Sequence, residues 1–294
     1  MRSIDTATRL CAVIGYPVEH SLSPLIHNAA FEAMGLNYVY IAFRVEDVRG
    51  CLSGMRALPS FRGMSVTIPH KVAVMEHLDD IDPMARTVGA VNTITNEGGR
   101  LIGSTTDGPG TLRAFEEAGL SLKGKHVLFL GAGGAVRSVA FAIAQLANPG
   151  RVTILGRTQS RIESLVSDLV ARTGVPVQGG SLRDDLADAM AAHEVVINGT
   201  PLGMYPTSLA DTPIRQSLLR SHHIVFDMVY RPLKTRLVRE AGAVGCKVLP
   251  GTEMLLNQAA LQFEAWTGLP APTGVMRDVL LNRLAEEDPP AVGE

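Results

Sequence analysis

The chain of 294 residues is more than one ordinary hydrophobic core organises and suits two domains, which implies a cleft between two lobes. With 46% hydrophobic and 19% charged residues it is globular rather than disordered, and 5% aromatic residues fit α/β packing better than an all-β sandwich or a base-stacking surface. A net charge of -2 excludes a uniform field for nucleic acid or an acidic membrane, leaving only local basic pockets for an anionic ligand.

In chain order, Leu10 to Ile14 reads as a strand, Pro24 to Met34 as a helix stopped by Gly35, Tyr38 to Val45 as a strand and Asp47 to Leu58 as a helix. A strand over Gly63 to Ile68 runs into Pro69-His70-Lys71, where proline ends the ladder and is expected to begin a helix. Ala90 to Thr95 and Arg100 to Thr105 form a hairpin around Glu97-Gly98-Gly99. From Gly124 a second set begins: strand His126 to Leu130, helix Gly133 to Leu146, strand Arg151 to Leu155, helix Gln159 to Arg172, then strands Glu194 to Ile197 and His223 to Val229. Strands spaced by such helices predict a parallel, doubly wound, Rossmann-like sheet. Gly199 to Pro213, with three prolines and two glycines, is a long loop. Glu253 to Trp266 and Gly274 to Ala285 are helical in pattern, and the tail Asp288 to Glu294 is expected to fray.

No apolar stretch approaches the length of a membrane helix, and Arg2, Asp5 and Arg9 interrupt any leader-like run, so a cytoplasmic protein is expected. Cys11, Cys51 and Cys246 are isolated and read as reduced thiols; eight scattered histidines form no metal-ligand spacing, and no metal site is expected.

Leu130-Gly131-Ala132-Gly133-Gly134-Ala135-Val136 follows a strand and opens a helix, the context in which glycines let backbone N–H groups approach a pyrophosphate. Val136 replaces the third glycine of the usual fingerprint. The next strand ends in Gly156-Arg157-Thr158-Gln159-Ser160-Arg161, with no carboxylate to hold a ribose hydroxyl and two arginines suited to a 2′-phosphate, which favours NADP over NAD. Standing alone, the glycine turn is a weak motif that also suits a closely packed helix start, and the two arginines are more often a solvated surface.

Further polar groups stand at strand ends: His20-Ser21-Leu22-Ser23-Pro24, Ser65-Val66-Thr67-Ile68-Pro69-His70-Lys71, Gly89-Ala90-Val91-Asn92-Thr93 and Thr105-Thr106-Asp107-Gly108. Hydroxyls, an amide, a lysine and an aspartate suit a small polyhydroxylated carboxylate. In this order and wording, from about Ile14 to about Gln262, these segments resemble the shikimate dehydrogenase family. The resemblance implies NADPH-dependent, reversible reduction of 3-dehydroshikimate to shikimate in aromatic amino acid biosynthesis. It implies that Ser21 and Ser23 bind the substrate carboxylate, that Thr67, Lys71, Asn92 and Asp107 surround its ring hydroxyls, and that Tyr230 and Gln258 close the site from the other side. It assigns Gly131, Ala132, Gly133, Gly134, Ala135, Arg157, Thr158, Arg161, Met228 and Gly251 to the nucleotide, and Thr200, within Asn198 to Met204, to the cofactor's far edge. Ser65, Thr106 and Gly156 each stand where the family commonly has asparagine; Ser65 can still reach a ring hydroxyl, with one short arm instead of an amide fork.

Within that reading Lys71 is the expected proton donor to the carbonyl oxygen, paired with Asp107. Taken singly, Lys71 would be a solvated lysine, Asp107 and Ser23 helix caps, and Tyr230 and Gln258 half-buried polar residues. Residues 1–107 and 252–294 are expected to form the substrate-binding catalytic domain and 108–251 the dinucleotide-binding domain, in a possible homodimer. The alternatives are a quinate/shikimate dehydrogenase using NAD and a non-catalytic dinucleotide sensor; the second is opposed by the presence of both Lys71 and Asp107.

Overall fold

Strands and helices alternate along a computed structural model that describes residues 4–287. Its elements are β1 (Arg9–Gly15), α1 (Ser23–Ala33), β2 (Tyr38–Arg44), α2 (Val48–Arg56), β3 (Phe61–Val66), β4 (Asp80–Ile81), α3 (Pro83–Val88), β5 (Thr93–Glu97) and β6 (Arg100–Ser104). They continue with α4 (Asp107–Glu117), β7 (His126–Leu130), α5 (Gly134–Leu146), β8 (Arg151–Gly156), α6 (Gln159–Thr173), β9 (Val177–Ser181), α7 (Leu186–Ala192) and β10 (Val195–Asn198). The last are β11 (Ile224–Asp227), α8 (Arg236–Val244), β12 (Lys247–Pro250), α9 (Gly251–Thr267) and α10 (Thr273–Glu287). Among the described residues no helix is long and apolar enough to cross a membrane.

The chain forms two compact units. The first runs to Gly110 and resumes over Leu256–Leu280; the second takes Thr111–Leu255 and the chain from Leu281. These breaks lie a few residues beyond the expected 107/108 and 251/252. The end of α10 groups with the second unit, where Arg231 pairs with Glu287 at 3.1 Å. The expected fraying over 288–294 lies outside the described residues.

In the first unit the six strands lie in the order β2-β1-β3-β5-β6-β4. β1 runs parallel to β2 and β3, β5 is antiparallel to β3 and β6 is antiparallel to β5. The hairpin turn at Gly98 and Gly99 has φ of 60° and 94°, a left-handed run that glycine tolerates. One face of the sheet packs against Val48, Leu52, Val74 and Ala85. On α9, Trp266 is fully buried and donates its indole N–H to the carbonyl of Ile94 at 3.0 Å; a side chain on Gly63 would occupy the indole's place.

The second unit is a six-stranded, wholly parallel sheet in the order β12-β11-β10-β7-β8-β9. Winding starts at β7, proceeds outward through β8 and β9, then returns to β10 on the other side, the doubly wound arrangement with its switch point between β7 and β10. Helix α5, buried from Ser138 to Ala144, serves as the internal crossover. Four elements of this unit, β9, α7, α8 and β12, are not among those expected from sequence. Val177-Gln178-Gly179-Gly180-Ser181 is the edge strand β9, where Gly179 leaves room for Ile162 and Val166 of α6, 2.7 and 3.1 Å from where its Cβ would lie. Helices α7 and α8 span seven and nine residues, and β12 four.

The expected helix at Pro69 does not form. His70 N–H bonds back to Thr67, and the Lys71 carbonyl accepts from Val91 N–H at 2.8 Å, so it is not available to the next helical turn. The segment turns instead and enters a short 3₁₀ stretch, Ala73–His77.

Candidate active site

The strand order of the first unit decides where its polar residues meet. Because β5 is antiparallel to β3, the start of β5 lies beside the end of β3; because β6 is antiparallel to β5, the end of β6 lies there too. Thr67 to Lys71 leave the first of these ends, Asn92 enters the second and Thr106-Asp107 leave the third. Backbone bonds lock the meeting point: Val66 N–H to Asn92 O at 2.7 Å, and Asn92 N–H to Ser104 O at 3.1 Å.

There Lys71 Nζ donates to Asp107 Oδ2 at 2.5 Å, with side chains 21% and 9% exposed. The other carboxylate oxygen accepts from Asn92 Nδ2 at 2.8 Å. Asp107 opens α4, so its carboxylate also lies at the positive end of a helix. An ammonium has three donors and the pair uses one, leaving Lys71 able to donate to a ligand oxygen. One turn after Asp107, Gly110 packs on the backbone of Gln258, whose N lies 2.6 Å from where a Cβ on Gly110 would be. The nearly buried Gln258 on α9 is thereby carried beside α4.

Ser21 and Ser23 flank the start of α1. Neither caps it: Leu22 occupies the cap position without a side-chain bond, and the Ser21 hydroxyl accepts Ser23 N–H at 3.3 Å. Thr67 is half-buried, its N–H bonded to Ile14 O at 2.9 Å. Ser65 differs from the reading that gives its hydroxyl to a ligand. It is 7% exposed, its proton goes to Gln262 Oε1 at 2.8 Å and its oxygen lies 2.6 Å from the Tyr40 hydroxyl. Burial pushes the Tyr40 phenol up, so it stays protonated. Tyr40, Thr93 and Gln262 went unread because their neighbours are distant in sequence; the one local hint is that Gln262 follows Gln258 by four residues, on the same helix face.

In the second unit the expected nucleotide residues lie at the carboxyl ends of the parallel strands. Gly131 follows β7 with φ of 104° and bonds by its N–H to Leu155 O at 2.7 Å. Gly133 caps α5 without a side-chain bond, and Gly133 and Gly134 have open space where a Cβ would project. Val136, standing where the fingerprint has glycine, packs into the space left by the absent side chain of Gly199. Ala132, Gly133, Gly134, Arg137, Ser160 and Arg161 line a cavity of about 260 Å³. Arg157, Thr158 and Arg161 are exposed at the end of β8 and the start of α6.

Thr200 and Met228 are held by a buried set that sequence reading missed. Asn198 Oδ1 accepts Thr200 N–H and Oγ1–H at 2.9 and 2.7 Å, while Asn198 Nδ2 donates to Asp227 Oδ1 at 2.9 Å. Asp227 also accepts the Thr235 hydroxyl at 2.5 Å; burial raises its carboxyl above the ordinary value, opposed by these hydrogen bonds. Met228 N–H bonds to Asn198 O at 2.9 Å. Gly251 lies against the end of β11, its absent Cβ 2.7 Å from the carbonyls of Asp227 and Val229. Tyr230 is half-buried, which pushes its phenol up. Among the described residues no group of three or more His, Cys, Asp or Glu is placed to hold a metal ion.

Comparison with known proteins identifies relatives along the whole chain. Residues 13–94 match the shikimate dehydrogenase substrate binding domain, and residues 251–281 the shikimate 5'-dehydrogenase C-terminal domain. The shikimate dehydrogenase (NADP(+)) of Moorella thermoacetica is 44% identical over 298 residues, covering 100% of both chains. The solved shikimate 5-dehydrogenase of Listeria monocytogenes, in complex with shikimate and NAD, superposes with a TM-score of 0.90 at 36% identity, over 95% of this chain and 99% of that one. That of Thermus thermophilus, in complex with NADP(H) and shikimate, gives 0.82 at 37% identity, over 94% and 100%.

Proposed function

The chain belongs to the shikimate dehydrogenase family, and on that premise we propose that it reversibly reduces 3-dehydroshikimate to shikimate with NADPH, an oxidoreductase acting on a CH–OH group in aromatic amino acid biosynthesis. The observation that carries this reading is the Lys71–Asp107 pair braced by Asn92, a protonated donor with spare hydrogen-bonding capacity at the strand ends of the first unit.

The residues present fit NADP. The uncapped start of α5, with room at Gly133 and Gly134, suits a pyrophosphate, and Arg157 and Arg161 suit a 2′-phosphate where an NAD site would have a carboxylate. When bound, the dinucleotide supplies the hydride for the carbonyl carbon. Lys71 holds a proton at Nζ and delivers it to the oxygen that acquires charge, a step worth about 10²–10⁴ in rate. In the reverse direction it takes that proton back from the hydroxyl. Asp107 orients the ammonium and accepts from a ring hydroxyl, and Asn92 fixes the carboxylate. Ser21 and Ser23 take the substrate carboxylate, Thr67 a ring hydroxyl and Gln258 a further ring contact, and the family resemblance also assigns Tyr230 to the substrate. Thr200, Met228 and Gly251 serve the nicotinamide end of the cofactor.

In this reading the first unit binds substrate and the second the dinucleotide. The enzyme is cytoplasmic, in keeping with three unpaired cysteines. Exposed Leu25, Met34 and Ile41, on and beside α1 and the edge strand β2, offer an apolar surface for a homodimer. Initial rates with shikimate and quinate, each against NADP and NAD, test the function. The shikimate–NADP pair should give the highest kcat/KM, and a preference for quinate with NAD would overturn the assignment.

A further inference from the structure

The ion pair is the last link of a longer buried chain within the first unit. We infer that Gln262 is a positioning residue for Lys71 and Asp107, and that Ser65 serves Gln262 rather than the substrate; this rests on the activity proposed above.

Proton counting orients every link. The single Ser65 proton goes to Gln262 Oε1, so the 2.6 Å contact with Tyr40 is donated by the phenol. Both amide protons of Gln262 are used, one on Thr93 Oγ1 at 2.9 Å and one on the Asn92 carbonyl at 3.3 Å. Thr93 Oγ1, its oxygen taken by Gln262, donates to Asn92 Oδ1 at 2.8 Å, and the same oxygen accepts Thr106 N–H at 2.8 Å. Asn92 can then present only its NH₂ group to Asp107, which turns the other carboxylate oxygen to Lys71. Donation runs from Tyr40 through Ser65, Gln262, Thr93 and Asn92 to Asp107, which accepts at one oxygen from Asn92 and at the other from Lys71.

Burial gives this order its force. Thr93 and Gln262 are fully buried, Asn92 is 3% exposed and Tyr40 2%, so no water competes for these groups. Tyr40 is itself clamped by the imidazole of His27, stacked at 4.5 Å with ring planes 10° apart. Without the Gln262 amide, the Thr93 hydroxyl keeps only its 3.2 Å contact with the Thr106 hydroxyl, and Asn92 is held by Thr106 alone, whose N–H meets Oδ1 at 2.8 Å and whose hydroxyl accepts from Nδ2 at 3.0 Å. The Asn92 amide is then less firmly oriented, and with it the carboxylate and Nζ. Ser65, with its proton committed, has no donor left for a ring hydroxyl.

The test is Gln262→Leu, which fills the space without the amide. Its kcat for shikimate oxidation should fall about tenfold with KM changed less than about threefold, while in a Lys71→Ala background the same substitution should cost less than about twofold, since the group it positions is gone. An unchanged kcat, or equal losses in both backgrounds, would overturn the inference. Should Gln262→Leu not fold, Ser65→Ala and Tyr40→Phe remove one hydroxyl each; about threefold losses in kcat are expected, and a loss confined to the shikimate KM for Ser65→Ala would overturn it. An arm independent of activity is hydrogen exchange of the Asn92 side-chain amide, followed by NMR in the ligand-free protein with Asn198 as control. Exchange should quicken about tenfold in the Gln262 variant at Asn92 alone, and unchanged exchange at Asn92 refutes the chain even if the enzyme proves to act on another substrate.

Discussion

Replacing His27 by phenylalanine should make the first unit markedly less sensitive to acid. The imidazole is fully buried among Tyr40, Trp266 and Phe31, and burial pulls its pKa from 6.5 down to about 3, opposed by the neighbouring Gln262 side chain. Between these two values the unfolded chain binds a proton that the folded chain refuses. Stability from the neutral ring is complete above the unfolded pKa and is lost as pH falls toward the folded one. At about pH 4.5 the loss is two pH units' worth, about 2–3 kcal/mol. Phenylalanine keeps the stack on Tyr40 and does not titrate, at a packing cost below about 1.5 kcal/mol that is the same at every pH. The chain's one tryptophan, Trp266, lies 5.1 Å from the His27 ring, so indole fluorescence in urea titrations reports on this unit. Between about pH 7.5 and 4.5 the variant should gain about 2–3 kcal/mol relative to the parent chain, other carboxylates and histidines cancelling in the difference. Parallel pH profiles for the two proteins would refute the reasoning.

Lys71→Ala should lower kcat by about two to four orders of magnitude with a much smaller change in KM, and Lys71→Arg should not rescue, because a guanidinium keeps the charge but not a transferable proton; recovery in the arginine variant under steady-state assay would reduce Lys71 to an electrostatic role. Neutralising Arg157 and Arg161 together should raise the KM for NADP by about tenfold or more and that for NAD by less than about threefold, with equal weakening of both pointing to a structural role. Gly63→Ala sets a methyl against the Trp266 indole and the Ile94 carbonyl and should destabilise the first unit by about 1–3 kcal/mol in the same fluorescence titration. Prolonged dialysis against a chelator should leave the shikimate–NADP rate unchanged, and loss of activity restored by zinc would contradict the proton-transfer scheme.

Much of this protein is determined by the sequence itself. The alternation of strands and helices, the Gly131–Ala135 turn, the arginines after β8 and the long loop from Gly199 all depend on neighbours within a few residues, where periodicity, glycine torsion and proline act directly. Lys71, Asn92 and Asp107 were legible as chemical types, but their meeting depends on two antiparallel reversals, β3 to β5 and β5 to β6, that no local pattern encodes. Only the tertiary structure decided what Ser65 does: its proton acceptor, Gln262, stands 197 residues away, and Trp266 reaches a carbonyl 172 residues distant. It likewise made a strand of Val177–Ser181, where the branched side chains of α6 fill the room its glycine leaves. A hydroxyl's role follows from which buried partner takes its single proton, and that partner is chosen by chain topology rather than by its neighbours in sequence.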